Sequence, residues 1–342
     1  MKIFLYLTWI SFFLFTGCGF EYKKVPTASG VKVENISVSN YFNLGPNFQY
    51  FDKIPSRVLV IGAAQTETLL DLEVGDSILA AVKYEDNMEY PIRAVNQNAF
   101  QNLNFISRKE INRENILLLQ PDMIISEESW FTKGKLCSTQ YWNDKGIHTM
   151  VSLSTTAPRK INRPETIENE MEYILELGRI YKKEDQAQKI VTETMKRFKN
   201  IKEKTNHLPS PKVMILDIFS LTTSYGKNKI AGNIAYHLGA NVSPTTAVVN
   251  DEFIMSENPD VVFVITYDDT ETRLSLLKDK PAFQNLKFIK NKQLYGIPLK
   301  YAYGPMTRTI DAAGYMAERI YPGHFSFEKE FDFHKNRSSN PE

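Results

Sequence analysis

The chain has 342 residues, 42% of them hydrophobic, with 41 basic and 40 acidic side chains. That length accommodates two domains with a core each, and so balanced a charge sets up no field to draw nucleic acid or an anionic membrane surface, so no nucleic-acid partner is expected. Apolar residues spread along the sequence suit a globular body and exclude a polytopic membrane protein.

Residues 1–17 read as a targeting segment: Lys2 supplies the positive start, residues 3–15 an apolar run too short for a span, and Thr16 and Gly17 the small residues before Cys18. This resembles a bacterial lipoprotein signal, although Phe15 stands where leucine is commoner. The resemblance implies that Cys18 is lipidated and anchors the mature chain to the outer face of the cytoplasmic membrane or in the periplasm. Cys137 is then left without a partner, in a chain long enough to need no disulfide. Residues 18–50 are expected to form a tether and a hairpin turning at Leu44-Gly45-Pro46-Asn47.

Residues 51–161 then alternate strand and helix. An apolar strand at 57–61 runs into Gly62-Ala63-Ala64-Gln65-Thr66-Glu67, a tight turn into a helix, and further strands are expected at 78–82, 123–126 and 147–153. The turn matches neither G-x-G-x-x-G nor the P-loop pattern, so nucleotide binding is not expected. Residues 162–182 read as one helix between the halves, with Asn162 as cap, Pro164 in the first turn and Glu165 and Glu168 at the positive end of the dipole. Its apolar residues fall on two faces: Ile167, Met171, Ile174, Leu175, Gly178 and Tyr181 on one, Tyr173, Leu177 and Ile180 on the other. A helix apolar on two sides packs against two bodies. In residues 183–330 a lysine-rich helix at 184–204 precedes strands at 212–219, 261–266 and 293–297 and a last helix at 307–321, before a polar tail at 331–342. The alternation predicts two α/β lobes, each a central parallel sheet flanked by helices, joined by one rigid interdomain helix.

One phrase occurs twice. Glu114 and Glu252 each open a short helix that a Pro-Asp, seven positions on, stops before an apolar strand. In open α/β sheets ligands bind beyond the carboxyl ends of the strands. That rule selects Gln65, Thr66, Tyr84, Trp130, Phe131, Phe219, Tyr225, Tyr267, Tyr301 and Tyr303 as an aromatic ligand surface, with Arg308 set either for an anionic group or for a neighbouring carboxylate. The expected rim charges, Glu85, Asp86, Glu127, Glu128, Asp217 and Asp268 against Lys83, Lys133, Lys227, Lys300 and Arg308, balance, which favours a broad, weakly charged ligand. The five histidines fall in no ligand spacing and no bare-metal site is expected. No G-x-S-x-G or HExxH is present, so no catalytic residues are assigned and a hydrolase ranks a distant third.

The ordered pieces 57–70, 114–125, 165–178, Gly239-Ala240-Asn241-Val242, 252–264 and 301–322 resemble the class III (cluster A) substrate-binding proteins of ABC importers, over nearly the whole mature chain. The resemblance implies a monomeric clamshell that moves only modestly and binds a ferric siderophore, cobalamin or haem as cargo, with no resident cofactor. It also implies delivery to an ABC permease dimer and its ATPase, with Glu114 and Glu252 meeting permease arginines. The alternative is a surface lipoprotein recognising haem or a signal ligand that is not transported.

Overall fold

The computed structural model describes residues 30–83, 92–155, 157–158, 164–266 and 269–326. The targeting segment, Cys18, Tyr84, Tyr267 and the polar tail lie outside the described residues.

Strands β1 (Val31–Ser39) and β2 (Phe42–Phe51) form an antiparallel hairpin. The chain turns at Asn40 and Tyr41, which take φ of 49° and 72°, the positive pair that matches hairpin twist. The expected turn at residues 44–47 is therefore wrong. Those residues continue in β2, with Gly45 opposite Ser37, because this register buries Val33, Ile36, Val38 and Phe51.

The first lobe follows as β3 (Val58–Ile61), α1 (Ala63–Asp71), β4 (Ile78–Lys83), α2 (Ala94–Gln101), β5 (Phe105–Ser107), α3 (Arg113–Leu119), β6 (Met123–Ser126), α4 (Thr139–Asn143) and β7 (His148–Val151). Its strands pair parallel in the order β5-β4-β3-β6-β7. Helices on both faces explain why β3 and β6 are buried along their whole length. A short β8 (Ala157–Pro158) joins the hairpin beside β2.

Helix α5 (Ile167–Tyr181) links the halves. It starts later than expected, because Thr166 caps it by accepting the Asn169 N–H at 3.3 Å. Glu165 lies outside the helix as a buried partner of Lys229. Both expected apolar faces are covered, one against the hairpin and the other against the second lobe, and Glu170 and Glu176 are buried with them. A Cβ at Gly178 would come within 2.5 Å of the Ala187 Cβ, so only glycine admits the next helix this closely.

The second lobe runs α6 (Glu184–Thr205), β9 (Val213–Asp217), β10 (Thr223–Ser224), α7 (Ile230–His237), β11 (Ala247–Val248), α8 (Asp251–Glu257), β12 (Val261–Thr266), α9 (Thr270–Lys278), α10 (Lys287–Lys290), β13 (Leu294–Pro298), α11 (Leu299–Ala302) and α12 (Thr309–Ile320). Its order, β11-β10-β9-β12-β13, repeats the first sheet, with β9, β12 and β13 parallel and β10 antiparallel to both neighbours. Strand alternation divides the core: Val213, Ile215, Val261 and Phe263 join the main cluster, while Met214, Leu216, Val262 and Val264 face a second one around Phe283 and Phe288.

The repeated phrase has the same mechanics in both lobes. Asn112 and Asn250 cap α3 and α8 by accepting the N–H three residues on, each at 2.9 Å. Gln120 and Asn258 end them in the left-handed region, at φ 50° and 41°. After the proline, Asp122 accepts backbone N–H groups of Ser56 and Arg57, and Asp260 that of Lys212 at 2.8 Å. The aspartate thus fixes the start of the lobe's first strand beside the strand it launches.

Candidate functional site between the lobes

Tyr303, beyond β13, donates its hydroxyl hydrogen bond to Glu128 Oε1, beyond β6, at 3.3 Å. The carboxyl ends of the two sheets therefore face one another, and the loops that follow them line the space between the lobes. Burial and the nearby carboxylates Glu128 and Glu127 push the Tyr303 hydroxyl pKa up, so it stays a donor.

Behind this contact the turn Gly304-Pro305-Met306 carries the second lobe into the first. Gly304 and Met306 both have positive φ (54° and 46°), a strained course for methionine. The Met306 N–H donates to Glu170 Oε2 at 2.5 Å, and the Ser154 hydroxyl donates to the other oxygen. Burial holds Glu170 up to about 7 against those two donors. Arg308 then forms a two-pronged pair with Glu67 of α1, Nε to Oε2 at 2.7 Å and Nη2 to Oε1 at 2.8 Å, and both side chains are wholly buried. Arg93 completes the seam: its Nη1 meets Asp71 at 3.0 Å, its Nε meets Asp311 of α12 at 3.1 Å, and its Nη2 donates to the Thr307 carbonyl at 2.7 Å. Lys300 is buried beside this group, and desolvation and Arg308 push it down to about 6 against Glu67 and Asp311.

These positions change the expected ligand surface. Arg308, Tyr301, Thr66 and Phe131 are buried, Arg308 in the ionic seam and Tyr301 against Tyr315. Gln65 is buried too, its side chain folded back over Gly62, whose φ of 140° and missing Cβ leave room for it. Trp130 is buried as well, beneath Arg108 and Lys135, while Phe219, Tyr225 and Tyr303 remain partly exposed at the strand ends. Tyr225 donates to Asp217 at 3.1 Å, and Phe219, half exposed, carries the Arg273 guanidinium 3.6 Å from its ring centre.

The cations expected on the rim are in part elsewhere. Lys300 and Arg308 belong to the seam, and Lys227 sits 4.0 Å over the Tyr236 ring. In their place stand Arg108, Lys135 and Arg273, none of them foreseen. Strand β5 has only three residues and gives no periodic signal, so the strand-end rule had no strand to place Arg108 on.

Glu114 and Glu252 occupy matching first-turn positions of α3 and α8, both exposed. Arg113 approaches Glu114 at 3.8 Å, too open a pair to hold it.

Two α/β lobes with facing strand ends, joined by one buried helix, together with a family profile over residues 58–301, define a solute-binding protein rather than an enzyme. The chain belongs to the periplasmic binding protein family, whose profile matches residues 58–301. A periplasmic binding protein from Veillonella parvula is 24% identical, with a TM-score of 0.76 over 86% of this chain and 92% of that one. An ABC-type Fe3+-hydroxamate transport protein from Saccharomonospora viridis is 16% identical, TM-score 0.62, over 80% and 96%. The periplasmic vitamin B12-binding protein of Vibrio cholerae is 17% identical, TM-score 0.56, over 78% and 97%. No curated protein matches the chain.

Proposed function

We propose that this chain is an extracytoplasmic lipoprotein, anchored through Cys18, that captures an iron-chelate or corrinoid-type ligand between its lobes. It hands that ligand to an ABC permease dimer, docking as a monomer through Glu114 and Glu252. The observation that carries the reading is the pair of facing strand ends with Phe219, Tyr225 and Tyr303 partly exposed among them, a surface suited to stacking on a broad ligand. Similar folds include a ferric hydroxamate transport protein and a vitamin B12-binding protein, both of which handle ligands of that breadth.

Titration of purified residues 18–342 against cobalamin, a ferric trihydroxamate, a ferric tricatecholate and haem, followed by tryptophan fluorescence, tests it. Saturable binding of one ligand is expected, weakened about tenfold by Phe219→Ala, the loss of one stacking contact. Binding of none overturns the reading.

A further inference from the structure

The hairpin holds the outermost strand of the first sheet through two side-chain amides. Gln49 accepts the Thr149 N–H at 2.8 Å and donates to the Thr149 carbonyl at 2.6 Å, and Asn35 does the same for Val151 at 2.8 and 3.3 Å. Gln49 lies opposite Val33, so Val33 stands level with Thr149 and Asn35 with Val151, and β1 runs beside β7 in the same direction. Val151 is the last residue of β7, whereas the hairpin continues for five more residues to its turn at Asn40 and Tyr41. At the rise of a strand the tip stands up to roughly 15 Å beyond the carboxyl edge of the sheet, on the side where the lobes face. The Asn40 N–H then donates to the Phe131 carbonyl at 2.9 Å. That bond ties the tip to the loop whose Glu128 meets Tyr303 of the second lobe.

We propose that Tyr41 is a ligand-contacting residue, an aromatic lip that the hairpin extends to the mouth of the interlobe space and lays against an apolar or conjugated face of the bound solute. This assignment rests on the solute-capture reading and adds a specificity-determining residue to it. Tyr41 is 47% exposed, and its φ of 72° is one that a bulky side chain rarely adopts. It occupies the second central position of a tight hairpin turn, where glycine after asparagine is favoured. Folding gains little from a tyrosine there, because the backbone is strained and half of the ring stays in water. Strain of this kind persists where the surrounding structure holds a side chain in place for another use. The tip is held from three sides. Asn40 is bonded to Phe131, the Val38 N–H donates to Thr139 Oγ1 at 3.0 Å, and Phe42 and Asn43 pair with Ala157 and Pro158 of β8. A ring carried on so firmly anchored a turn has little ordering left to lose when a solute arrives. Neither tip residue is charged, so the lip selects by the shape and apolar character of the face it meets.

The test titrates purified residues 18–342 with cobalamin, a ferric trihydroxamate, a ferric tricatecholate and haem by calorimetry, and carries the probe that binds into the variants. Tyr41→Ala should weaken binding roughly three- to tenfold, the loss of one aromatic contact, while Tyr41→Phe, which keeps the ring, stays within about twofold. Tyr41→Gly separates the lip from a structural role. It relieves the positive φ, so the melting temperature of the ligand-free chain should rise by roughly 2–4 °C even as affinity falls as far as in the alanine variant. A tyrosine kept only for folding would give the opposite pair of results, lower stability and unchanged affinity. Phe48→Ala removes another half-exposed ring from the same hairpin, at the level of Glu34 and away from the tip, and should leave affinity unchanged. Affinity within about twofold of wild type in both Tyr41→Ala and Tyr41→Gly, or an equal loss in Phe48→Ala, overturns the lip and leaves solute capture standing. If none of the four probes binds the wild-type chain, solute capture falls and the lip falls with it.

Discussion

The Arg308 guanidinium and the Glu67 carboxylate are fully withdrawn from water and pair at 2.7 Å. Taking two ions out of water costs several kcal/mol apiece, so such a pair adds little net stability, but a lone survivor is expensive. Arg308→Met should therefore cost about 3–5 kcal/mol, because Glu67 keeps only the Arg93 N–H at 2.9 Å. At roughly 2–4 °C per kcal/mol for a chain of this size, its melting temperature falls by about 10 °C or a little more. Combining it with Glu67→Met should recover most of the loss, since no orphan charge remains. Thermal unfolding of the two single variants and the double decides the matter, and strictly additive losses would show that the pair is not coupled. Nothing local announces this bond, because its partners stand 241 residues apart. The strand-end rule found Arg308 and left open a ligand anion or a neighbouring carboxylate, of which the structure supplies the carboxylate, Glu67, and it passed over Arg108 because so short a strand leaves no pattern. What composition and spacing do reveal about a side chain is which sheet edge it stands on, not which partner it finds there.

At the scale of elements much more was legible. The spine helix, the alternation of strand and helix and the twin Glu-x6-Pro-Asp phrases all rest on short-range physics: helical periodicity, proline's missing donor and aspartate's readiness to accept from backbone. The hairpin turn was misplaced because Gly45-Pro46 is a stronger local signal than Asn40-Tyr41, and burial of the hairpin's inner face overrode it. The phrase is longer than it looked, since Asn112 and Asn250 cap both helices and already satisfy the first-turn donors. With the cap in place, the following glutamates are not needed to start their helices beyond a dipole contribution of roughly 0.3–1 kcal/mol. Their exposure and matched placement fit a partner that carries a cation opposite each lobe. Glu114→Arg together with Glu252→Arg should abolish cellular uptake of labelled ligand while the purified variant binds it with unchanged affinity, because like charges then face each other across the interface. Normal uptake by the double variant would reduce both residues to helix-terminal acids.

Across the whole molecule three features tie the lobes: the buried helix α5, the strained turn ending at Met306 and the ionic seam of Glu67, Arg93, Arg308 and Asp311. With both lobes gripped this way, Glu114 and Glu252 keep a fixed spacing, and the proposed capture requires no wide hinge. The proposed anchor at Cys18 sets where the body stands. Twelve residues separate Cys18 from Val31, the first residue of the hairpin, a reach of at most roughly 40–45 Å. If Cys18 carries the anchor, as proposed, so short a tether keeps the body at the membrane surface, although none of its described helices is long and apolar enough to cross a membrane. A single acyl chain binds membranes only marginally, and durable attachment takes more than one, so the anchor should be lost as a unit when its thiol is removed. Cys18→Ala is expected to abolish incorporation of a labelled fatty acid and to yield either chain that keeps residues 1–17 or processed chain in the soluble fraction. Fractionation with mass analysis distinguishes these products. Processed Cys18→Ala chain that still pellets with membranes through an alkaline wash would mean that attachment lies elsewhere in the sequence.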